Sequence, residues 1–231
     1  MICMKRIRIA PSILAWDLGR LNEAVDISVK GGADQIHLDI IDGHFAPNIT
    51  FGPGTVKALR DQCHLKFDTH LMLDRPDLYV QKFLDAGSDI LTFHAEVLDG
   101  KAFDSLCAMV VRSGKEVGLA IKPSTELPAW AVERLDNLSA VVVMTVNPGF
   151  SGQPMDMSIM PKLEKISDIV ERNGTGTDIE IDGGVEPENV GEVVRRGGNV
   201  LVAGAGVYAK RDPIGAIGVL RERAETASAG E

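Results

Sequence analysis

The chain predicts a single-domain α/β architecture, a (β/α)8 barrel, and three observations carry that prediction. Strand-like apolar runs alternate with amphipathic helical patterns eight times along 231 residues. That length suits one such barrel, whose typical size is about 250 residues. No linker-like stretch separates the units, so 1–231 reads as one domain, with 226–231 as a small, polar, frayed tail. A doubly wound open sheet is the competing architecture. It usually has fewer units, and the first strand–helix turn here carries no GxGxxG.

The first strand is Ile7-Arg8-Ile9-Ala10-Pro11-Ser12. Leu18, Leu21, Val25 and Val29 then fall at helical spacings, and Gly31-Gly32 stops the helix. The second strand, starting at Gln35, alternates with period two. His37, Asp39 and Ile41 share one face, while Ile36, Leu38 and Ile40 share the other. A long connection over 43–53 leads to a helix around 55–61. The third strand, 65–72, is followed by a helix over 76–86 closed by Gly87. The fourth, 89–94, precedes a helix over 102–112 stopped by Gly114. The fifth, 116–121, leads to a helix around 128–135. The sixth, 140–145, is the most β-branched; a Gly/Pro-rich loop and a helix over 160–172 follow it. The seventh, 178–182, is followed by a helix over 187–195 and a Gly197-Gly198 stop. The eighth, 200–203, runs into Gly204-Ala205-Gly206 and a last helix over 213–225.

Composition excludes several classes of function. A formal charge of −9 argues against nucleic acid as a partner. It leaves room for a small phosphate, because such a site is local and built from backbone N–H groups. No apolar run approaches the eighteen or so residues of a membrane helix. The basic start of the chain lacks the apolar core of a signal peptide. Cys3, Cys63 and Cys107 have no CxxC or ligand spacing and read as reduced thiols, which points to the cytoplasm.

In a barrel, reacting groups belong at the C-terminal ends of the strands. Ser12, His37, Asp39, His70 and Asp182 gather there, with Met72 and Met144 at the ends of strands three and six. Singly, His70 reads as a satisfied core histidine, His37 and Asp39 as a buried polar pair, and Asp182 as a cap on Gly183-Gly184. Together, two imidazoles and two carboxylates at one barrel level make a ligand set for a divalent metal ion. Glycine loops follow strands six, seven and eight: Asn147-Pro148-Gly149-Phe150-Ser151-Gly152-Gln153, Asp182-Gly183-Gly184 and Ala203-Gly204-Ala205-Gly206. Their backbone N–H groups suit a substrate phosphate. A metal on a carbonyl oxygen acidifies the adjacent C–H by stabilising an enediolate. Two carboxylates on opposite faces of that carbon can then move a proton from one side to the other, which is epimerisation.

These residues resemble the ribulose-phosphate 3-epimerase family. The telling segments are Pro11-Ser12-Ile13-Leu14, His37-Leu38-Asp39-Ile40-Ile41-Asp42-Gly43-His44-Phe45-Ala46-Pro47-Asn48, His70-Leu71-Met72, His94-Ala95-Glu96, Val143-Met144-Thr145-Val146-Asn147-Pro148-Gly149-Phe150 and Glu180-Ile181-Asp182-Gly183-Gly184. The resemblance spans nearly the whole chain. It implies a TIM barrel, a homo-oligomer such as a dimer or hexamer, that interconverts D-ribulose 5-phosphate and D-xylulose 5-phosphate. It implies Asp39 and Asp182 as the acid/base pair. It also implies one divalent metal ion per subunit on His37, Asp39, His70 and Asp182, with zinc, iron(II), manganese and cobalt all used in the family. Ser12 and His70 would contact the sugar, in a site lined by Met72 and Met144. Gly149, Phe150, Ser151, Gly152, Gly183, Gly184, Gly204 and Ala205 would surround the phosphate.

The chain departs from the family pattern in three places. Ile41 stands where methionine is usual, Ser151 where the loop often has glycine, and Ala205 where serine is common. A related group acting on D-allulose 6-phosphate, one carbon longer, shares the metal and acid/base pattern and is the alternative substrate class. An aldolase or decarboxylase would want a strand-end lysine; strand six ends in Met144-Thr145, and Lys122, beside Pro123, reads as a loop anchor. A non-catalytic sugar-phosphate-binding barrel is the remaining alternative, with all four polar residues nonetheless retained. His94 and Glu96 read as a structural hydrogen-bond network.

Overall fold

The computed structural model describes residues 5–230, so Cys3 and the start of the chain lie outside the described residues. The eight runs become β1 (Arg8–Pro11), β2 (Gln35–Ile41), β3 (Lys66–Met72), β4 (Ile90–His94), β5 (Glu116–Ile121), β6 (Ala140–Met144), β7 (Asp178–Asp182) and β8 (Val200–Ala203). Hydrogen-bonded neighbours run β1-β8-β7-β6-β5-β4-β3-β2. Every pair is parallel. Between β1 and β2 the ring is joined by one parallel bridge, Ser12 with His37. The sheet is therefore a nearly closed barrel in a single domain.

The helices on its outside are α1 (Leu21–Lys30), α2 (Pro53–Arg60), α3 (Val80–Asp85), α4 (Gly100–Arg112), α5 (Ala129–Val132), α6 (Met160–Asn173), α7 (Val190–Arg195), α8 (Ala205–Tyr208) and α9 (Pro213–Ser228). Several differ from the sequence reading; α7, for one, begins at Val190 rather than at 187. The expected helix over 76–86 starts as a 3-10 turn at Pro76–Leu78 and becomes α-helical only at Val80. The one expected over 128–135 is reduced to a single turn, α5, with a 3-10 turn at Leu135–Asn137 behind it. The short α8 grows directly from the Gly204-Ala205-Gly206 loop, where only a loop was expected. The tail expected to fray from 226 is instead helical through Ser228, because Ala224 and Ala227 lie buried on one face of α9, three residues apart. Among the described residues no helix is long and apolar enough to cross a membrane.

The apolar core lies between barrel and helices. Ile36, Leu38, Phe67, Leu71, Leu91 and Phe93 leave the strands outward and are buried together with Val25, Val56, Phe83, Phe103 and Leu220 from the helices. Each such side chain contributes about 1.5–3 kcal/mol through its removal from water. Cys63 and Cys107 are free thiols within this layer. Asp89, just before β4, ties the bottom of the barrel. It accepts from Arg60 Nη1 at 2.8 Å, Lys115 Nζ at 2.7 Å and Phe67 N at 2.9 Å.

The barrel interior is polar on β2, β3, β4 and β7. Gln35, His37 and Asp39 of β2 register with Lys66, Asp68 and His70 of β3, so imidazole and carboxylate alternate across the two strands. A β-carbon on Gly118 of β5 would lie 2.3 Å from Thr92 Oγ1, and the absent side chain gives the interior room for these polar groups.

Candidate active site

The period-two alternation of β2 and β3 sends His37, Asp39 and His70 inward, and β7 adds Asp182 as its last residue. His37 and His70 are fully buried; Asp39 and Asp182 are 6 % and 9 % exposed, opening toward the C-terminal end of the barrel. One ligand atom from each of the four residues falls within 4.8 Å of all the others. His37 Nε2 lies 3.3 Å from His70 Nδ1, 3.5 Å from Asp39 Oδ1 and 3.8 Å from Asp182 Oδ2. His70 Nδ1 lies 3.2 Å from Asp182 Oδ2 and 3.9 Å from Asp39 Oδ1. The sequence reading named all four, and the fold brings all four together.

These residues fit a divalent ion. His37 Nδ1 is 3.0 Å from Asp68 Oδ2 and donates its proton there, which leaves Nε2 as the nitrogen that a metal ion would take. Among the described residues no lysine or arginine lines the cleft above the two carboxylates, and a bound cation would balance them. The electrostatics point the same way. Burial alone would raise the Asp39 carboxyl, but the imidazoles of His37 and His70 and the hydroxyl of Ser12 outweigh it and hold it at about 2. Burial alone would lower His37, yet Asp39 and Asp68 on its two sides hold it well above the ordinary imidazole value. Both shifts describe a site that favours a positive charge between carboxylates.

Beneath this group sits a layer that the sequence reading did not identify. Asp68 accepts from Gln35 Nε2 at 3.2 Å and Thr92 Oγ1 at 3.3 Å as well as from His37. Glu180 of β7 places Oε1 3.2 Å from His37 Nδ1, but that N–H is aimed at Asp68, and among the described residues Glu180 Oε1 has no hydrogen-bond partner. Burial and the neighbouring Asp68 push Glu180 well above the usual carboxyl range. His37, Asp68 and Glu180 also cluster within 4.8 Å. Yet His37 Nδ1 is already committed to Asp68, so the open face of the imidazole is the one toward Asp39. The only signal in the sequence was that Asp68 and Glu180 each stand two residues before a ligand, on the same strand face.

On the other side, His70 Nε2 meets His94 Nε2 at 2.9 Å, with the rings nearly parallel at 14°. His94 Nδ1 meets Glu96 Oε2 at 2.8 Å, and Glu96 Oε1 accepts the Lys122 backbone N–H at 2.7 Å. Burial lowers His94 to about 4. Burial alone would raise Glu96, but hydrogen bonds from His94, Thr125 and Lys122 hold it at about 2. The network expected of His94 and Glu96 thus exists, and it ends on a proposed ligand. Lys122 Nζ stands 3.7 Å over the Phe45 ring, an anchor for the loop after β2.

A cleft of about 320 Å³ opens above Asp39 and Asp182. Ser12, Met72, Met144, Gly149, Phe150, Ser151, Gly152, Gly183, Gly184, Gly204 and Ala205 all line it, as expected. His70 does not; it lies behind the two carboxylates and reaches the cleft only through them. Ser12, carried to β2 by the closing bridge, donates Oγ–H to Asp39 Oδ2 at 2.5 Å. Ile41, Met72 and Met144 cluster with Leu14, Phe45 and Ala46 as an apolar wall beside the carboxylates. The glycine loops occupy the opposite end. At Gly184, φ is +61° and a β-carbon would lie 2.3 Å from Met155 N, so only glycine lets the β6 and β7 loops meet. Asn48 Nδ2 bonds Gly149 O at 2.7 Å and braces the loop after β6 from the β2 side. The cleft also includes Pro154, Val185, Glu186 and Val202, which the sequence reading did not place.

The family model described as ribulose-phosphate 3 epimerase matches residues 8–208 of the chain. Ribulose-phosphate 3-epimerase of Bacillus subtilis (strain 168) is 41 % identical over 217 residues, covering 93 % of this chain and 98 % of that protein. The protein of the same name from Synechocystis sp. is 37 % identical over 204 residues, 88 % of each chain. Among solved structures, 3-hexulose-6-phosphate synthase from Salmonella typhimurium superposes with a TM-score of 0.70 at 18 % identity, over 96 % of this chain and 100 % of that one. At that identity the likeness is one of fold.

Proposed function

This chain belongs to the ribulose-phosphate 3-epimerase family, isomerases that epimerise a pentose phosphate, and we propose that it inverts C3 of D-ribulose 5-phosphate to give D-xylulose 5-phosphate. The observation that carries the reading is the position of Asp39 and Asp182, two carboxylates on the floor of a cleft whose far end is walled by three glycine loops. The substrate phosphate takes the backbone N–H groups of those loops, Gly149 to Gly152, Gly183-Gly184 and Gly204-Ala205. The sugar then extends toward the carboxylates. Asp39, ionised and oriented by Ser12, removes or returns the C3 proton on one face, and Asp182 does so on the other. The apolar wall of Leu14, Ile41, Met72 and Met144 excludes water beside the reacting carbon, which strengthens the charge interactions there. A divalent ion on His37, Asp39, His70 and Asp182, one per subunit, would supply Lewis-acid stabilisation of charge developing on the substrate's carbonyl oxygen. Zinc is our first choice for this nitrogen and oxygen set, with iron(II), manganese and cobalt as alternatives. Assembly into a dimer or hexamer belongs to the same proposal and is read directly by sedimentation.

The test is kinetics on D-ribulose 5-phosphate and D-allulose 6-phosphate in parallel, with metal content measured on the same preparation. The expected result is a higher kcat/KM for the five-carbon substrate and deuterium entering at C3 in D₂O. A higher value for the six-carbon substrate overturns the substrate choice, and turnover without deuterium entry overturns the proton-transfer mechanism.

A further inference from the structure

We infer that His94 and Glu96 are positioning residues that fix the proton of His70 on Nε2, leaving Nδ1 as the lone pair aimed at the metal-ligand cluster. The inference deepens the metal reading above and rests on it, but its core, a proton held on Nε2 of His70, applies with the site loaded or empty.

Glu96 uses both oxygens as acceptors, Oε1 for the Lys122 backbone N–H at 2.7 Å and Oε2 toward His94 Nδ1 at 2.8 Å. A backbone N–H can only donate, and a carboxylate can only accept. His94 therefore carries its proton on Nδ1, and its Nε2 is an acceptor. That nitrogen is 2.9 Å from His70 Nε2, and two imidazole nitrogens at this distance share one proton. His70 must supply it from Nε2. Its other nitrogen, Nδ1, faces Asp182 Oδ2 at 3.2 Å and His37 Nε2 at 3.3 Å, and its lone pair is the one a metal ion there would take.

The two proposed nitrogen ligands are thus set by different devices. His37 has a buried carboxylate, Asp68, directly behind it, whereas His70 is set two steps away by Glu96, through a second imidazole. His94 is clamped for this task between His70, at a ring-centroid distance of 5.0 Å, and Phe45, at 4.3 Å. Glutamine at position 96 cannot replace glutamate, because it has one acceptor oxygen where two are needed. If that oxygen keeps the Lys122 N–H, the amide N–H₂ faces His94 Nδ1 and drives both tautomers to reverse.

The experiment uses the full chain with ¹⁵N-labelled histidine, comparing wild type with Glu96→Gln and His94→Phe. Phenylalanine keeps the stacking between His70 and Phe45 but removes the acceptor. Long-range ¹H–¹⁵N spectra of the metal-free protein report the tautomers, and competition against a chelator reports zinc affinity. In wild type the expected result is a proton on Nε2 of His70 and on Nδ1 of His94. Zinc affinity should fall roughly 10- to 100-fold in both variants, the usual effect of losing a partner behind a metal-binding histidine. A wild-type His70 that lacks a proton on Nε2 overturns the inference, as does zinc affinity within twofold of wild type in both variants. The expected wild-type tautomers in a protein that binds no zinc would sustain the relay and refute the metal reading instead. A variant that fails to fold leaves the wild-type tautomers and the other variant to decide.

Discussion

Asn replaces Asp with nearly the same shape but cannot carry a proton, so Asp39→Asn and Asp182→Asn isolate the two proposed proton transfers. Asp39 accepts Ser12 Oγ–H at 2.5 Å, and an amide oxygen can still accept it, so the packing of the floor should survive. General acid–base catalysis by one side chain contributes about 10²- to 10⁴-fold. Each residue is also one of the four proposed ligands, so the loss should lie at the upper end, near 10⁴-fold, or about 5 kcal/mol at 1.36 kcal/mol per factor of ten. The more discriminating consequence concerns exchange. With one carboxylate intact, the proton on its face can still be removed and returned from solvent, without inversion. The assay incubates each variant, with saturating metal, in D₂O with D-ribulose 5-phosphate or D-xylulose 5-phosphate and follows C3 deuteration by mass and NMR. Interconversion should be lost in both variants, while exchange persists with one epimer only, and with the opposite epimer in the two variants. Exchange of the same epimer in both, or interconversion within tenfold of wild type in either, refutes the assignment of one carboxylate to each face.

Ser12→Ala removes one hydrogen bond to a charged group, worth about 1.5–3 kcal/mol, so kcat/KM should fall roughly 10- to 100-fold; an unaltered rate would show that Ser12 does not orient Asp39. Gly184→Ala forces a β-carbon to 2.3 Å from Met155 N at a φ of +61°, a left-handed conformation costing about 1–2 kcal/mol before the clash. KM for the sugar phosphate should rise about tenfold or more, and an unchanged KM would remove this loop from phosphate binding. Asp89 is pushed up by burial but pulled further down by Lys115, the Phe67 N–H and Arg60, so its folded pKa lies below the unfolded value of about 3.9. Its contribution is present above the unfolded value and lost as pH falls through the folded one. Asp89→Asn should cost about 2 kcal/mol in urea unfolding at pH 7, from the usual worth of hydrogen bonds to a charged group, and progressively less as the pH falls below the unfolded value; a cost that does not change with pH would refute the ionic role.

Much of the site could be read before the fold because strands β2, β3 and β7 present alternate residues to opposite faces. Period two alone put His37 with Asp39 and His70 with Met72, and the rule that barrel chemistry gathers at strand C-termini drew in Asp182. Glu180 and Asp68 share those same faces but lie one step deeper. Their role depends on who stands across the barrel, and no local pattern encodes that. His70 illustrates the limit from the other direction. A sugar contact was expected of it, yet its burial behind Asp39 and Asp182 comes from the β2–β3 register, in which Asp39 pairs with His70.

The sequence by itself determined the eightfold strand–helix alternation, the inward identity of the four polar residues and the three glycine loops. All of these follow from side-chain periodicity and backbone freedom within a few residues. Tertiary structure alone decided how they meet. The single bridge between Ser12 and His37 brings the first strand to the second and sets a hydroxyl on Asp39. The loop of Gly149 is braced by Asn48, 101 residues earlier in the chain. His94 reaches His70 because β3 and β4 pair in one register, and that register is set by the packing of the whole barrel. Such contacts join residues far apart in the chain, so their geometry is fixed only when the ring comes together.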